Sequence, residues 1–96
     1  MVSFSLEEKV KFLTGLDFWQ TNGLGKYNTV KMSDGPFGVK GNDNLSSALF
    51  PCGPSLGSTF NPELVYDVGR AIGEECNDKA VDVLLGPNLN LYRDPL

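Results

Sequence analysis

The spacing of apolar and polar residues along the chain predicts two helices and two strands. The first helix is expected over residues 5–14 (SLEEKVKFLT), where Ser5 and Glu8 have the spacing of a capping box. In that motif each side chain accepts a hydrogen bond from the other residue's backbone amide. The apolar residues of this segment fall on one helical face. They are Leu6, Val10 and Leu13.

The clearest helix signal begins after residue 60. Asn61 is a favourable N-cap, Pro62 suits the first helical position, and Glu63 complements the helix dipole. Gly69 and Gly73 lie near the apolar face, and glycine costs roughly 1 kcal/mol inside a helix. We therefore expect this face to approach a sheet closely. Its apolar residues, at helical spacing, are Leu64, Val65, Val68, Ala71, Ile72 and Cys76.

Two short segments have the character of strands. Residues 29–33 (TVKMS) alternate, and residues 81–85 (VDVLL) form an apolar run typical of a strand that is buried on both faces in a parallel sheet. The stretch 41–60 predicts a loop without a regular element. Strand, loop, helix and strand make one βαβ unit, whose crossover is expected to be right-handed.

Two strands leave a sheet with open edges, and parallel sheets are stable when neighbouring strands extend them and helices cover both faces. The sequence stops at residue 96, with no helix after the second predicted strand. The expected fold class is therefore α/β, with an N-terminal helix and one βαβ unit forming the first part of a larger domain.

Composition and charge exclude several classes of function. The net charge is -4, and an acidic chain without a cluster of lysine and arginine offers no electrostatic footprint for nucleic acid. The apolar runs are only a few residues long, so no membrane span is expected. The N-terminal residues lack a basic leader followed by an apolar stretch. This predicts a cytoplasmic protein, unless a leader lies outside this chain.

The residues usual in nucleophilic and metal chemistry are scarce. Cys52 and Cys76 are the two cysteines, and without histidine or C-x-x-C spacing they predict free thiols, with no metal or cofactor. The absence of histidine also excludes Ser-His and Cys-His machinery within this chain. The carboxylates in or near the long helix predict solvated surface charges with no assignable acid and nucleophile pair. They are Glu63, Asp67, Glu74, Glu75 and Asp78.

Asp34 follows the first predicted strand, within KMSDGPFGVKG at residues 31–41. It could serve as a turn residue, because aspartate accepts from backbone amides a little further along the chain. It could also bind a ligand, since parallel α/β proteins bind ligands at the carboxyl ends of their strands. Residues 86–88 (Gly-Pro-Asn) end the second strand in the same way, with a plain turn favoured. Aromatic residues that could stack on a sugar or plug a core are Phe18, Trp19 and Tyr27.

Several motifs follow one another in an order that is more specific than any one of them. They are L-E-E-K-V at 6–10, G-x-D-F-W-x-T at 15–21, K-M-S-D-G-P at 31–36, F-N-P-E-L at 60–64, G-R-A-I-G-E-E at 69–75 and L-L-G-P-N at 84–88. In this order they resemble the N-terminal region of glycoside hydrolase family 3, of the β-glucosidase and β-xylosidase type. The similarity runs from about Leu6 to Leu96.

The resemblance implies that residues 1–96 are an incomplete N-terminal segment of a TIM-like barrel domain, followed in the family by a second α/β domain. Family members are retaining enzymes with an aspartate nucleophile and, usually, a glutamate acid/base. Neither residue has a counterpart here, so this chain alone is predicted to be inactive and to contain no catalytic residue. It would act with the remainder of the enzyme, in cis or in trans, on a β-linked glucoside or related sugar.

The family resemblance assigns substrate binding to two positions. The aspartate of S-D-G-P, here Asp34, binds hydroxyls of the nonreducing-end sugar. Lys40 stands where many members have arginine, and a lysine donates as a point charge without the planar fork. Phe37 replaces a residue that is often polar in relatives. Alternatives left open are a half-barrel interaction protein completed by a partner chain, a non-catalytic remnant and a small sugar-binding module.

Overall fold

The structure is a computed structural model, and it describes residues 3–41, 45–89 and 94. Within these residues the chain forms a small α/β arrangement with three helices and two short parallel strands. In chain order the elements are α1 (Leu6–Phe12), β1 (Met32–Asp34), α2 (Gly53–Gly57), α3 (Pro62–Asp78) and β2 (Val83–Leu85). The prediction of a larger domain depends on the residues after the second strand, and of residues 90–96 the structure describes residue 94 alone.

Helix α1 begins with the predicted capping box. The Glu8 amide donates to Ser5 Oγ at 3.2 Å, and the Ser5 amide donates to Glu8 Oε2 at 2.8 Å. The bond from the Ser5 amide, and after it an interaction with the Ser5 hydroxyl, lower the pKa of the Glu8 carboxyl. The helix ends at Phe12, two residues before the predicted end, and the apolar Leu6 and Leu13 are 78% and 85% exposed. The described residues therefore leave the predicted apolar face uncovered.

Strands β1 and β2 confirm the parallel pair, with Ser33 opposite Leu84 in the register. The first strand lies later in the chain than predicted, at 32–34 instead of 29–33, which makes Asp34 its last residue. The reason is that Lys31 pairs with Gln20 in an isolated antiparallel bridge and precedes the register with β2. Positions before Lys31 therefore belong to a loop that contacts residues 20–21.

Asp82 fixes the entry to both strands. Its carboxylate Oδ2 accepts from the Lys31 amide at 2.8 Å, and its own amide donates to Lys31 O at 2.9 Å. The Lys31 ammonium donates to Lys79 O at 2.9 Å. These bonds join residues about fifty positions apart and connect the end of α3 to the start of β1.

The prediction that the second strand is buried on both faces is wrong for the described chain. Val83 and Leu85 are 41% and 48% exposed. The physical reason is that, apart from β1 with β2, the described elements make only sparse contact with one another. The sheet therefore has two strands and no extensive helical cover.

Helix α3 begins as predicted, with Leu64 N donating to Asn61 Oδ1 at 3.1 Å and proline in the first turn. None of its residues is buried. A Cβ built on Gly69 or Gly73 would meet nothing within 4 Å among the described residues. The predicted close approach of this helix to a sheet is therefore absent from the described part of the chain.

Helix α2 overturns part of the loop predicted over 41–60. It spans one short stretch, GPSLG, with Cys52 at the N-cap and Pro54 in its first turn. The sequence did not predict this helix because it begins and ends with glycine, which is a poor helix former. Residues 42–44 of the predicted loop lie outside the described residues.

Few of the described residues are buried, and they lie near both ends of β1 and at Asn22. The buried apolar residues are Val39, which is fully buried, and Val81. The buried polar residues are Asn22, Ser33 and Lys79. No helix in the described ranges is long and apolar enough to cross a membrane.

Candidate functional site

The loop after β1 is closed by hydrogen bonds around Ser33. This side chain is 1% exposed, donates to Asp34 O at 2.9 Å and accepts from the Gly41 amide at 2.9 Å. Lys40 N also donates to Asp34 O, at 3.0 Å. The backbone from 34 to 41 therefore returns to the strand from which it leaves, and Asp34 and Lys40 lie at the two ends of this turn.

Two glycines allow this loop to approach its neighbours. A Cβ on Gly35 would collide with Gly38 O and would lie 2.7 Å from Leu84 Cδ1. Gly38 has φ +142°, a conformation that residues with a side chain rarely adopt, and a Cβ there would collide with Ala48 O. The S-D-G-P turn is thus packed against both β2 and the segment around residue 48.

The turn after β2 packs on the turn after β1. A Cβ on Gly86 would lie 3.1 Å from both Gly35 O and Pro36 Cα. The Gly86–Pro87 peptide bond is cis. The two strand ends, which both end in Gly-Pro turns, therefore form one continuous edge.

A pocket of about 300 Å³ opens at this edge, lined by residues 34–40 and 47–49. Asp34 and Lys40, the two predicted substrate-binding residues, both line it. Its walls also include the apolar residues Phe37, Val39 and Leu49. Within residues 3–41 and 45–89, the Asp34 carboxylate has no hydrogen-bond partner, so both of its oxygens are available as acceptors.

The three aromatic candidates do not act together. Trp19 is half-buried, and Lys40 Nζ lies 5.7 Å from its ring centroid, a cation–π distance. Phe18 is 95% exposed. Tyr27 packs instead on Phe12 of α1, with ring centroids 6.3 Å apart. Trp19 is therefore the aromatic residue that reaches the candidate site, through Lys40.

Four of the five carboxylates in or near α3 are exposed as predicted, and the fifth, Glu75, is half-buried. The exposed ones are Glu63, Asp67, Glu74 and Asp78. Arg70 pairs with exposed Glu74 at 3.2 Å and with exposed Asp67 at 3.7 Å. Glu75 instead lies beneath the segment around residue 48, with Oε1 accepting from Ala48 N at 2.9 Å. The signal for Glu75 is its spacing, since it follows Ala71 by four residues and so borders the apolar face.

Comparisons with known proteins place this geometry in context. No family model matches the chain. It is 41% identical over 96 residues to a putative β-glucosidase of Schizosaccharomyces pombe, and 43% identical over 97 residues to probable β-glucosidase I of Aspergillus fumigatus. These alignments cover 95% and 96% of this chain but 12% of each relative.

A solved structure agrees. The crystal structure of Bifidobacterium adolescentis GH3 β-glucosidase matches with a TM-score of 0.83 and 36% identity. The match covers 96% of this chain and 14% of that one. The helices and the two parallel strands place the described chain in the α/β class. More narrowly, the resemblance to glycoside hydrolase family 3 is confirmed: nearly the whole chain is similar to one short part of β-glucosidases.

Proposed function

We propose that residues 1–96 form the N-terminal part of the TIM-like barrel domain of a retaining β-glucosidase-like glycoside hydrolase. The observation that carries the proposal is that Asp34 and Lys40 line one pocket at the end of β1. The parallel β1–β2 pair supports a barrel segment, because barrel enzymes bind substrate at the carboxyl ends of their strands.

Asp34 accepts hydrogen bonds from the hydroxyls of the terminal sugar. Its backbone carbonyl is already bound by Ser33 and Lys40, which fixes the position of the residue. Its carboxylate remains available to the pocket. Hydrogen bonds to an ionised carboxylate are roughly twice as strong as neutral ones, and two adjacent sugar hydroxyls can share its two oxygens.

Lys40 donates from the other end of the same turn. Its ammonium lies over the ring of Trp19, which restrains a side chain that is otherwise flexible. A lysine ammonium can donate to hydroxyls in a wider range of positions than the planar guanidinium of arginine. We therefore expect Lys40 to bind the sugar by a hydrogen bond from its charged ammonium and to discriminate weakly between hydroxyl orientations.

The remainder of the enzyme, in cis or in trans, supplies the nucleophile and the acid/base, and the chain alone is inactive. Exposed apolar side chains of α3 and β2, including Leu64, Val65, Val83 and Leu85, support a surface completed by further polypeptide. The same surface supports the alternative, a half-barrel interaction protein completed by a separate partner chain. The cytoplasmic location and the exclusion of nucleic-acid and membrane partners stay predictions.

A hybrid enzyme tests the proposal. This chain replaces the matching 14% of the Bifidobacterium adolescentis enzyme, and hydrolysis of an aryl β-glucoside is measured. The hybrid is expected to be active. Asp34→Asn is expected to lower kcat/KM by about 10- to 100-fold, because a hydrogen bond to a charged group contributes about 1.5–3 kcal/mol.

Asp67→Asn is the matched control, since Asp67 lies on the exposed side of α3 and pairs weakly with Arg70. It should leave kcat/KM within about twofold, as expected for a solvated ion pair. A folded hybrid without activity, or equal rates for Asp34→Asn and Asp67→Asn, contradicts the proposed function.

A further inference from the structure

One wall of the pocket belongs to a segment without regular structure. Residues 47–49 line the pocket together with the loop after β1. On that side the segment is held by Phe50 N, which donates to Phe37 O at 2.7 Å, and by the packing of Ala48 O against Gly38. Since residues 45–49 are all exposed, the position of this wall depends on a few specific bonds.

The other side of the segment is held by α3. Glu75 Oε1 accepts from the Ala48 amide at 2.9 Å, across 27 residues of sequence. One helical turn later, the Lys79 ammonium donates to Ser46 O at 3.3 Å. The two side chains thus bind the backbone on either side of residue 47, which lines the pocket.

Glu75 is half-buried, whereas the neighbouring Glu74 is exposed. Within the described residues the second oxygen of Glu75, Oε2, is buried and has no hydrogen-bond partner. A buried polar atom without a partner destabilises a fold, so a glutamate at this place is not favoured by packing alone. Glu74, the preceding residue, is exposed and forms an ordinary surface ion pair with Arg70. The Ala48 bond, in which the acceptor is charged, is the interaction that Glu75 gains from its position.

We infer that Glu75 is a positioning residue for the sugar pocket, which fixes the wall at 47–49 opposite the Asp34–Lys40 turn by holding the Ala48 amide. That the pocket binds a sugar rests on the proposed function. That Glu75 positions the wall rests on its hydrogen bond with Ala48. Glu75 itself does not line the pocket and touches no substrate. Loss of its carboxylate would release Ala48 and let the wall move, which weakens sugar binding.

Hydrogen exchange is measured on the full 96-residue chain labelled with ¹⁵N. Affinity is measured on the hybrid enzyme that carries this chain, as inhibition of aryl β-glucoside hydrolysis by methyl β-D-glucoside. Hydrogen exchange at the Ala48 amide and the affinity for the glucoside are measured for Glu75→Ala, Glu75→Gln and Glu74→Ala. Glu75→Ala is expected to speed exchange at Ala48 and to weaken binding, each by about tenfold or more, as loss of a charged hydrogen bond implies. Glu75→Gln keeps an acceptor oxygen and is expected to restore most of both, while Glu74→Ala matches the parent chain.

Exchange measured residue by residue separates positioning from general stability, because a general loss of stability would speed exchange at all protected amides and not at Ala48 in particular. The inference is overturned if Ala48 exchanges as an unprotected amide in the parent chain, or if Glu75→Ala leaves its exchange unchanged. It is also overturned if affinity falls equally in Glu74→Ala. If the hybrid enzyme binds no glucoside, the proposed function fails instead, and the exchange at Ala48 still decides whether Glu75 holds the segment.

Discussion

The turn after β1 and the long helix α3 differ in how much of each is packed against other described residues. Around the turn, Ser33 and Val39 are buried, and a Cβ on Gly35 would collide with a backbone oxygen. Helix α3 is longer and regular, yet the described residues bury none of it and place no atom within 4 Å of a Cβ on Gly69. The candidate sugar-binding turn is therefore completed by contacts within the described chain, whereas the apolar face of α3 is not.

This difference shows that length and regularity do not measure how firmly a segment is held. A helix is stabilised in proteins mostly by packing of its apolar face, and an isolated helix of this length is marginal in water. The turn is short and irregular, but its bonds join residues from three parts of the chain. We therefore expect substitutions in the turn to have larger effects on the free chain than comparable substitutions in the helix.

The largest effect is expected from adding one methyl group at each of two glycines. Gly35→Ala should lower the free energy of unfolding by about 3 kcal/mol, because its Cβ meets backbone as well as Leu84. Gly69→Ala should raise it by about 1 kcal/mol, because alanine is the better helix former and nothing lies nearby. Chemical denaturation of the two variants measures both values, and equal signs would remove the proposed difference between the regions.

The effect of Gly69→Ala on stability should differ between the free chain and the hybrid enzyme. In the hybrid enzyme, where the rest of a β-glucosidase surrounds the helix, the same Gly69→Ala change should become neutral or destabilising if a neighbouring element packs closely there. A stabilising effect of the same size in both contexts would show that this face of α3 stays uncovered.

The next largest effect is expected at the hydroxyl that closes the turn. Ser33→Ala removes the acceptor of the buried Gly41 amide and should cost about 2 kcal/mol, since a buried donor is left without a partner. Ser58→Ala removes an exposed hydroxyl that donates to Pro54 O, and should change stability by less than about 0.5 kcal/mol. Thermal unfolding of both variants compares them, and a Ser58 effect as large as that of Ser33 would contradict the account.

A smaller effect is expected at the start of α3. Asn61→Ala removes the side-chain oxygen that accepts from the Leu64 amide and should cost about 1 kcal/mol. Asn61→Asp keeps an acceptor at the same place and should stay close to the parent chain. Helix content by circular dichroism reports both, and a loss in Asn61→Asp equal to that in Asn61→Ala would exclude capping as the cause.

The smallest effect concerns the two thiols. A hydrogen bond with Ser55 lowers the pKa of Cys52, whereas burial and, to a lesser degree, the charge of Glu75 raise the pKa of Cys76. Because the thiolate is the nucleophile, Cys52 should react with iodoacetamide about tenfold faster at neutral pH. As pH rises the ratio should shrink, since Cys76 becomes ionised last. Equal rates at neutral pH, measured by mass spectrometry, would contradict these environments.

The parts of the structure that depend on neighbouring residues were predictable from the sequence. The capping box at Ser5 and the N-cap at Asn61 involve residues three positions apart, so their spacing was sufficient. The start of β1 was misplaced because Lys31 pairs with Gln20 and with Asp82, which spacing along one segment does not reveal. The prediction of a solvated Glu75 is wrong for the same reason, since its partner Ala48 lies 27 residues away.

The candidate site also has features that the sequence predicted and features that it did not. The motif order indicated Asp34 and Lys40, and the structure places both in one pocket, although their part in sugar binding remains a proposal. The contact of Lys40 with Trp19 and the wall at 47–49 came only from the folded chain. The first depends on the pairing of residues 19–20 with residues 31–32, and the second on the packing of Ala48 against Gly38.

Hydrogen exchange of the free chain and of the hybrid enzyme tests the central claim most directly. The account predicts that the amides of Lys40 and Gly41, which donate to Asp34 O and Ser33 Oγ, are protected in both. It predicts that amides within Pro62–Asp78 gain about 100-fold or more protection in the hybrid, where the helix face is covered. Equal protection of α3 in the two contexts, or rapid exchange of Lys40 and Gly41 in the free chain, would contradict it.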